Sequence, residues 1–223
     1  MFTVVPTPIG NLGDITVRAL EVLKAADWIA CEDTRHTRRL LNHYEIEGRL
    51  MAVHDHNEDK QIPEILAKLE AGESVALVSD AGMPLVSDPG FRIVRAIREA
   101  GQEMTVLPGA SAPTTALVAS GLPPYPHRFA GFLPVKKGKR GKELQAALDS
   151  GETTLFFESP HRIGSTLEIL SGLAPGVATV VARELTKKFE TIHRGSALEL
   201  HEHFKSHQAK GEIVLLLNSG VSD

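Results

Sequence analysis

The sequence predicts an α/β protein made of two α/β domains, on three observations. Short apolar runs of strand length alternate with stretches of helical periodicity through the first half. A run with three prolines, Gly121-Leu122-Pro123-Pro124-Tyr125-Pro126, interrupts the pattern, and strand-like runs then restart. The alternation is that of a largely parallel sheet with helices on its faces, and the prolines make a stiff, helix-breaking connector. The expected domains are residues 1–121 and 122–223.

In the first domain Thr3–Val5, Trp28–Cys31, Leu50–His54, Val75–Ser79 and Met104–Leu107 read as strands. Ile15–Ala26 reads as a helix because Ala19, Leu20, Leu23 and Ala26 fall on one face, with Asp14 as the expected N-cap. Helical patterns also run through Thr37–His43, Gln61–Ala71 and Phe91–Ala100, and from the end of Pro108-Gly109-Ala110-Ser111-Ala112 to Ser120. The second domain offers Arg128–Leu133, Thr153–Glu158, Thr179–Glu184, Thr191–Arg194 and Ile213–Asn218 as strands. Ser159 as N-cap and Pro160 at the first helical position predict a helix from there to about Leu170.

Composition narrows the function classes. A chain of 223 residues, 42% apolar and 23% charged, can bury a sizeable core and is ordinary for a soluble protein. No apolar stretch has the length of a bilayer span and the first residues carry no basic region, so a cytoplasmic protein with no membrane partner is expected. Cys31 is the single cysteine, which excludes an internal disulfide and a multi-cysteine zinc site. The net charge of −4 gives no global pull on nucleic acid, so a polyanion has to meet local basic patches.

The most informative stretch is Val75–Gly90, where an apolar strand ends in Ser-Asp-Ala-Gly-Met-Pro-Leu-Val-Ser-Asp-Pro-Gly before a helical pattern begins. Ligands of open α/β sheets sit at strand carboxyl ends, and this loop is over-specified for a simple connection. Neither the G-x-G-x-x-G dinucleotide fingerprint nor the G-x-x-x-x-G-K-[ST] phosphate loop occurs. The first turn is instead the rigid Pro6-Thr7-Pro8-Ile9-Gly10-Asn11-Leu12-Gly13.

Polar clusters follow three expected strands: Glu32-Asp33-Thr34-Arg35-His36, His54-Asp55-His56-Asn57-Glu58 and Arg183-Glu184-Leu185-Thr186-Lys187. All three project from strand carboxyl ends, so they converge on one candidate active site. The first could equally be a helix start with acids suited to the dipole. His54 and His56 alternate on a strand and mimic a metal pair, but no third ligand is forced, and no metal is expected. Lys136, Lys137, Lys139, Arg140 and Lys142 form a glycine-punctuated basic loop in an acidic protein, suited to phosphate, and Arg35, Arg38 and Arg39 could extend it. Aromatic content of 5% argues against base-stacking platforms.

The order VPTPIGNLGDITVRALEVLKAADWIACEDTRHTRRLL, HDHNE, LVSDAGMPLVSDPG, LPGASA, GFLP, FFESPHR, ARELTKKFE and GEIVLLL resembles the ribosomal RNA methyltransferases of the tetrapyrrole methylase-like superfamily along essentially the whole chain. The resemblance implies S-adenosyl-L-methionine in a cleft between two α/β domains. It also implies 2′-O-methylation of a cytidine ribose in 16S ribosomal RNA near the decoding centre of the small subunit, and a homodimer. It places Pro8, Asp80, Met83, Ser111, Ala112, Phe157 and the stretch from Ala182 to Leu185 at the cofactor. Asp80 can accept from hydroxyl or ammonium groups, although an Asx-turn or helix cap would also account for it. A ribose hydroxyl needs a base or polarising group nearby, and the candidates are Asp33, Arg35, His54, His56, Glu184 and Lys187, the last acting as a base if its pKa is depressed. Arg35 could hold a substrate phosphate in bidentate geometry, or pair with Glu32 or Asp33 to pin a helix start. Two further readings are a methylase of a tetrapyrrole or other small molecule, disfavoured by the widely spread cations, and a non-catalytic RNA-binding module.

Overall fold

The computed structural model of the chain describes residues 1–207 and 209–220. The chain divides into two compact units, Met1–Ser111 and Ala112–Asp223.

The first unit is built on strands β1 (Phe2–Val5), β2 (Trp28–Cys31), β3 (Leu50–Ala52), β4 (Val75–Val78) and β5 (Met104–Val106). They form one sheet in the order β3-β2-β4-β1-β5, with parallel pairing throughout. A parallel sheet needs both faces covered, which is why its strands read as continuous apolar runs. Helices α1 (Val17–Ala25) and α2 (Thr34–His43) bring Leu23 and Leu41 onto Val5, Ile29 and Val78. Helices α3 (Glu58–Glu70) and α4 (Phe91–Glu99) bring Ile65, Ile93 and Ile97 onto Val4, Ala30 and Leu77, whose side chains form the other core cluster. The helices after β1 and β2 thus cover one face and those after β3 and β4 the other. Because β4 lies between β2 and β1, neighbouring loops leave toward opposite faces and open a crevice at the strand carboxyl ends.

Local chemistry shifts several expected boundaries in this unit. Thr16 caps α1, its Oγ1 accepting from Ala19 N at 3.1 Å, while Asp14 lies in a 3-10 turn, Leu12–Asp14. Helix α2 starts earlier than Thr37 because the Asp33 carboxylate accepts from Arg35 N at 2.8 Å. Strand β3 stops at Ala52, where Asn57 closes a turn by accepting from His54 N at 2.8 Å and donating to Ala52 O at 3.0 Å. His54 and His56 therefore sit on a turn and do not alternate along a strand.

The second unit opens with α5 (Ala112–Ser120), followed by β6 (His127–Phe132), α6 (Lys137–Ser150), β7 (Thr153–Glu158), α7 (Ile163–Leu173), β8 (Ala178–Arg183), β9 (Thr191–Ser196), α8 (Ala197–Ser206) and β10 (Ile213–Asn218). Its sheet runs β6-β7-β10-β8-β9, with β6 parallel to β7 and the other pairings antiparallel. Leu144, Leu167, Leu170 and Phe204 from α6, α7 and α8 pack on Phe156, Val181 and Leu215. Helix α5 packs on β10, β7, β8 and β9, so the compact units divide ahead of the proline run. Arg194 on β9 donates to Ser120 O at 2.8 Å and to Ala119 O, satisfying carbonyls at the end of α5.

Two expectations fail here. The stretch from Lys137 to Lys142 is helix, not loop, because α6 buries Leu144 and Ala147 and its register carries the preceding turn with it. Ser159 does not cap α7. Its carbonyl accepts from Arg162 N at 2.9 Å and Ile163 N at 3.0 Å in a turn, and the helix starts after Arg162. Among the described residues no helix is long and apolar enough to cross a membrane.

One buried carboxylate ties β7 to α7. Glu158, its side chain 0% exposed, accepts from Ser159 N at 2.6 Å, Thr166 Oγ1 at 2.6 Å and Arg162 Nη2 at 2.7 Å. Removing one partner of such a buried pair leaves the other desolvated and unpaired. Glu158→Ala should lower unfolding free energy by about 3–5 kcal/mol. Glu158→Gln, which keeps an acceptor, should cost less, and urea denaturation of both variants checks the order.

Candidate active site

The first-unit crevice is closed at its base by backbone. Thr7 N donates to Gly82 O at 2.9 Å and Gly82 N to Thr7 O at 3.0 Å, bridging the loops after β1 and β4. Thr7 Oγ1 donates to Ser79 O at 3.1 Å, and Ser79 Oγ donates to Gly82 O at 3.0 Å. Asp80 Oδ1 accepts from Asp33 N at 3.2 Å, which adds the loop after β2. Pro8 follows Thr7 in the loop after β1, and Asp80 and Met83 flank the bridge in the loop after β4. Gly82 stands in the left-handed region at φ +83, where a Cβ would lie 3.2 Å from Ile9 Cγ2 and 3.7 Å from Ala110 O. The backbone thus forms a cradle that a side chain would fill. Ser111 ends the first unit and Ala112 begins α5 in the second.

Phe157, Ala182 and Leu185 belong to the second unit. Phe157 on β7 and Ala182 on β8 both pair with Val214, so they share one rung across the sheet. Leu185 is buried just beyond the end of β8.

The electrostatics of the first-unit crevice are anionic. Burial, reinforced by the carboxylates of Glu32, Asp80 and Asp55, pushes Asp88 up to about 7. Glu32 is also raised, first by burial and then by Asp80 and Asp55. Asp33 goes the other way: hydrogen bonds from the Arg35 side chain and backbone hold it well below the carboxylate range. Asp88 is the residue missed among the sequence-derived candidates. Its signal was a second Asp in an over-specified loop, but its titration depends on burial, on Asp80 of the same loop and on Glu32 and Asp55 from two other strand ends. The loop is strained as well, with Leu85 at φ 72 and Ser87 at φ 68.

Other candidates fare differently. Arg35 closes its fork on Asp33, Nε to Oδ1 at 3.1 Å and Nη2 to Oδ2 at 2.8 Å, which is the helix-pinning arrangement. Arg38 donates to Gly48 O at 3.4 Å and Arg39 is exposed. The rings of His54 and His56 stand 6.1 Å apart, with His54 Nδ1 buried and unpaired. Lys187 is not a neutral base. Burial opposes its charge, but hydrogen bonds to Glu212 and Glu184 outweigh burial and raise its pKa. It holds Glu184 Oε1 at 2.9 Å and Glu212 Oε2 at 2.8 Å, and the same bond lowers Glu184, so the trio is an ion network. Of the basic stretch, Lys136, Lys137, Lys139 and Lys142 are exposed, but Arg140 is 2% exposed and faces inward, so it offers no surface contact to RNA.

The Asp88 shift has a definite sign. Its folded pKa of about 7 lies above the ordinary 3.8, so the native state keeps a proton that the unfolded chain releases. That stability is full at acid pH and is lost as pH rises through about 7. Asp88→Asn should flatten the decline in stability between pH 3.8 and about 7, which denaturation midpoints across pH will report.

Comparison with known proteins places this geometry in a family. Residues 1–201 match the model of the Tetrapyrrole (Corrin/Porphyrin) Methylases. The chain is 51% identical over 217 residues to the ribosomal RNA small subunit methyltransferase I of Escherichia coli O157:H7, covering 96% of this chain and 76% of that protein. It is 44% identical over 219 residues to the protein of the same name from Bacillus subtilis strain 168, covering 98% of this chain and 76% of that one. Among solved structures, uroporphyrin-III-C-methyltransferase from Thermus thermophilus aligns with TM-score 0.65 and 20% identity over 99% of this chain and 95% of that one. A diphthine synthase aligns with TM-score 0.71 and 17% identity over 97% of this chain and 89% of its own, and both likenesses concern the fold alone. The chain belongs to the tetrapyrrole methylase family.

Proposed function

We propose that the protein transfers a methyl group from S-adenosyl-L-methionine to the 2′-oxygen of a cytidine ribose in 16S ribosomal RNA, near the decoding centre of the small subunit. In this reading it works in the cytoplasm as a homodimer. The reading is supported by high identity to proteins named ribosomal RNA small subunit methyltransferase I over nearly the whole chain. The observation that carries its chemistry is the anionic crevice closed by Thr7 and Gly82, with Asp80 at its edge.

The crevice fits the methyl donor, which when bound supplies an activated methyl on a positively charged sulfonium. The Gly82 cradle gives a flat group close access to backbone. Asp80 Oδ2 has no partner among the described residues and can accept from a hydroxyl or an ammonium. The carboxylates of Glu32, Asp55, Asp80 and Asp88 favour a cation and repel phosphate, so the RNA backbone has to be held by cations elsewhere. Asp88, with a pKa near neutrality, is the group best matched to accept the proton of a ribose hydroxyl, and it replaces Lys187 in that role.

Incubation with methyl-labelled S-adenosyl-L-methionine and small ribosomal subunits tests the reading. Label should enter 16S RNA at one cytidine and resist alkaline cleavage there. Label in a small molecule from an extract, with none in RNA, would favour the tetrapyrrole-type reading. Asp80→Ala should weaken binding of the donor by about 1.5–3 kcal/mol, the loss of a hydrogen bond to a charged group, measured by calorimetry. The parent's rate should rise with pH through about 7 as Asp88 ionises, and Asp88→Asn should be slow at every pH and lack that inflection.

A further inference from the structure

The end of β6 turns an aromatic side chain out beside a helix start that carries only positive charge. At the irregularity between Phe129 and Phe132, Gly131 adopts φ 69, and the bulge presents Phe132 to solvent at 63% exposure. The ring is not loose, because it lies 5.2 Å from the ring of Phe157, which in turn meets Phe129 at 4.9 Å. Immediately after it, Leu133 is locked down: its N–H donates to Phe157 O at 3.1 Å, and its carbonyl accepts from Arg162 Nη1 at 3.3 Å. Arg162 is itself held by the buried Glu158 at 2.7 Å.

Helix α6 then begins against the usual rules. Its N-cap Lys136 makes no side-chain cap, its first turn holds no acid, and Lys136, Lys137 and Lys139 stand at the positive end of the helix dipole. Lys137 has only a distant partner, Glu168 at 4.0 Å; Lys136 and Lys139 have none among the described residues. Beneath them Arg140, 2% exposed, reaches back to Val135 O at 3.5 Å and to Ser165 Oγ at 2.8 Å. Its Nε is buried with no acceptor, and no carboxylate pairs with it among the described residues. Four cations at an uncapped helix start raise the local potential at a cost in stability, which is accounted for if an anion completes the site.

We propose that the segment Phe132–Lys139 is a nucleotide platform for RNA, with an unpaired base stacked on Phe132 and the adjoining phosphates on Lys136, Lys137, Lys139 and the α6 N-terminus. Arg140 and Arg162 act as positioning residues that hold the backbone between base and phosphate sites. The inference rests on the reading of the protein as an RNA-directed enzyme. It departs from the expectation, drawn from low aromatic content, that bases are not stacked. One exposed ring on a rigid base suffices for a single stack.

The test uses the full chain and fluorescent oligocytidylate, single-stranded or within a duplex of equal length, titrated at several salt concentrations. Phe132→Ala should weaken single-strand binding about tenfold, the scale of one base stack, and leave its salt slope unchanged. Phe132→Trp should bind like the parent, whereas Phe132→Leu should resemble Ala because it keeps apolar area without a π-face. Replacing Lys136, Lys137 and Lys139 by Ala should reduce the log–log salt slope by about 0.7 for each phosphate that is no longer neutralised. Parent-like binding by Phe132→Ala, or by Phe132→Leu, overturns the proposal. So does weaker S-adenosyl-L-methionine binding in Phe132→Ala, which would give the ring to the cofactor, or a change in its sedimentation, which would give it to a second copy of the chain. Labelled methyl transfer by the parent keeps the two readings apart. Methylation of 16S RNA with unaffected Phe132→Ala binding sinks the platform alone, and Phe132-dependent binding without any methylation of RNA sinks the proposed activity alone.

Discussion

The paired hydrogen bonds between Thr7 and Gly82 are the constraint on which the first-unit site depends. Parallel strands end without hairpins, so their carboxyl-end loops have no ladder of their own to fix them. The bridge supplies one rung beyond the sheet, and the Ser79 and Thr7 hydroxyls lock its two sides to each other. Everything downstream in the loop is then held in conformations that an unanchored chain would leave. Leu85 and Ser87 occupy the left-handed region, each at a cost of about 1–3 kcal/mol. Glu58 restrains the far end: its buried carboxylate accepts from Gly90 N and from Arg92 N, the latter at 3.2 Å, so the start of α4 is fixed by the first residue of α3. The His-Asp-His-Asn-Glu cluster thus owes part of its character to loop support.

The two units carry opposite local electrostatics within a chain of modest net charge. In the first, carboxylates from three loops crowd together until burial and mutual repulsion lift Asp88 and Glu32. In the second, lysines crowd at the start of α6. Such arrangements oppose folding, since like charges brought together repel and buried ones lose hydration. They persist where binding a group of the opposite sign relieves them. In the function proposed above, a sulfonium would relieve the first and a phosphate the second. This is why a net charge of −4 is no argument against a polyanionic substrate.

Much of this was legible in the sequence. Val75–Val78 and Ile213–Asn218 are strands because their apolar runs are buried on both faces, and the dense loop after Ser79 is tied through Gly82 to the loop after β1. What failed did so for tertiary reasons. Gly138 and Gly141 read as loop punctuation, yet they continue a helix because Leu144 and Ala147 bury against the core and Arg140 anchors the first turn. Thr16 outranks Asp14 as a cap through a geometry of a few ångströms that composition does not encode. Lys187 looked like a base because it follows a strand, but Glu212, far along the chain, comes within 2.8 Å and keeps it charged. Asp88 was on view throughout; its proton affinity is set first by burial and then by Glu32, Asp80 and Asp55, all of which take the folded chain to arrange.

The loop after β8 shows how a polar cluster at a strand end can be architectural and still matter to function. Glu184 and Thr186 both stand at positive φ, at 53 and 64, and a β-branched residue there is costly. Arg183 spans the loop, donating to Thr191 Oγ1 at 3.0 Å, Phe189 O at 3.0 Å and Lys210 O at 3.1 Å. Glu190 accepts from Thr186 N at 2.6 Å, and Lys187 joins Glu184 to Glu212. These ion pairs are partly exposed, so individually they add little stability, but together they remove the freedom of a strained segment. What the network fixes is the backbone on either side of the buried Leu185. The charged residues of this motif are spent on one another: Lys187 is held charged between Glu184 and Glu212, so it does not stand as a neutral base.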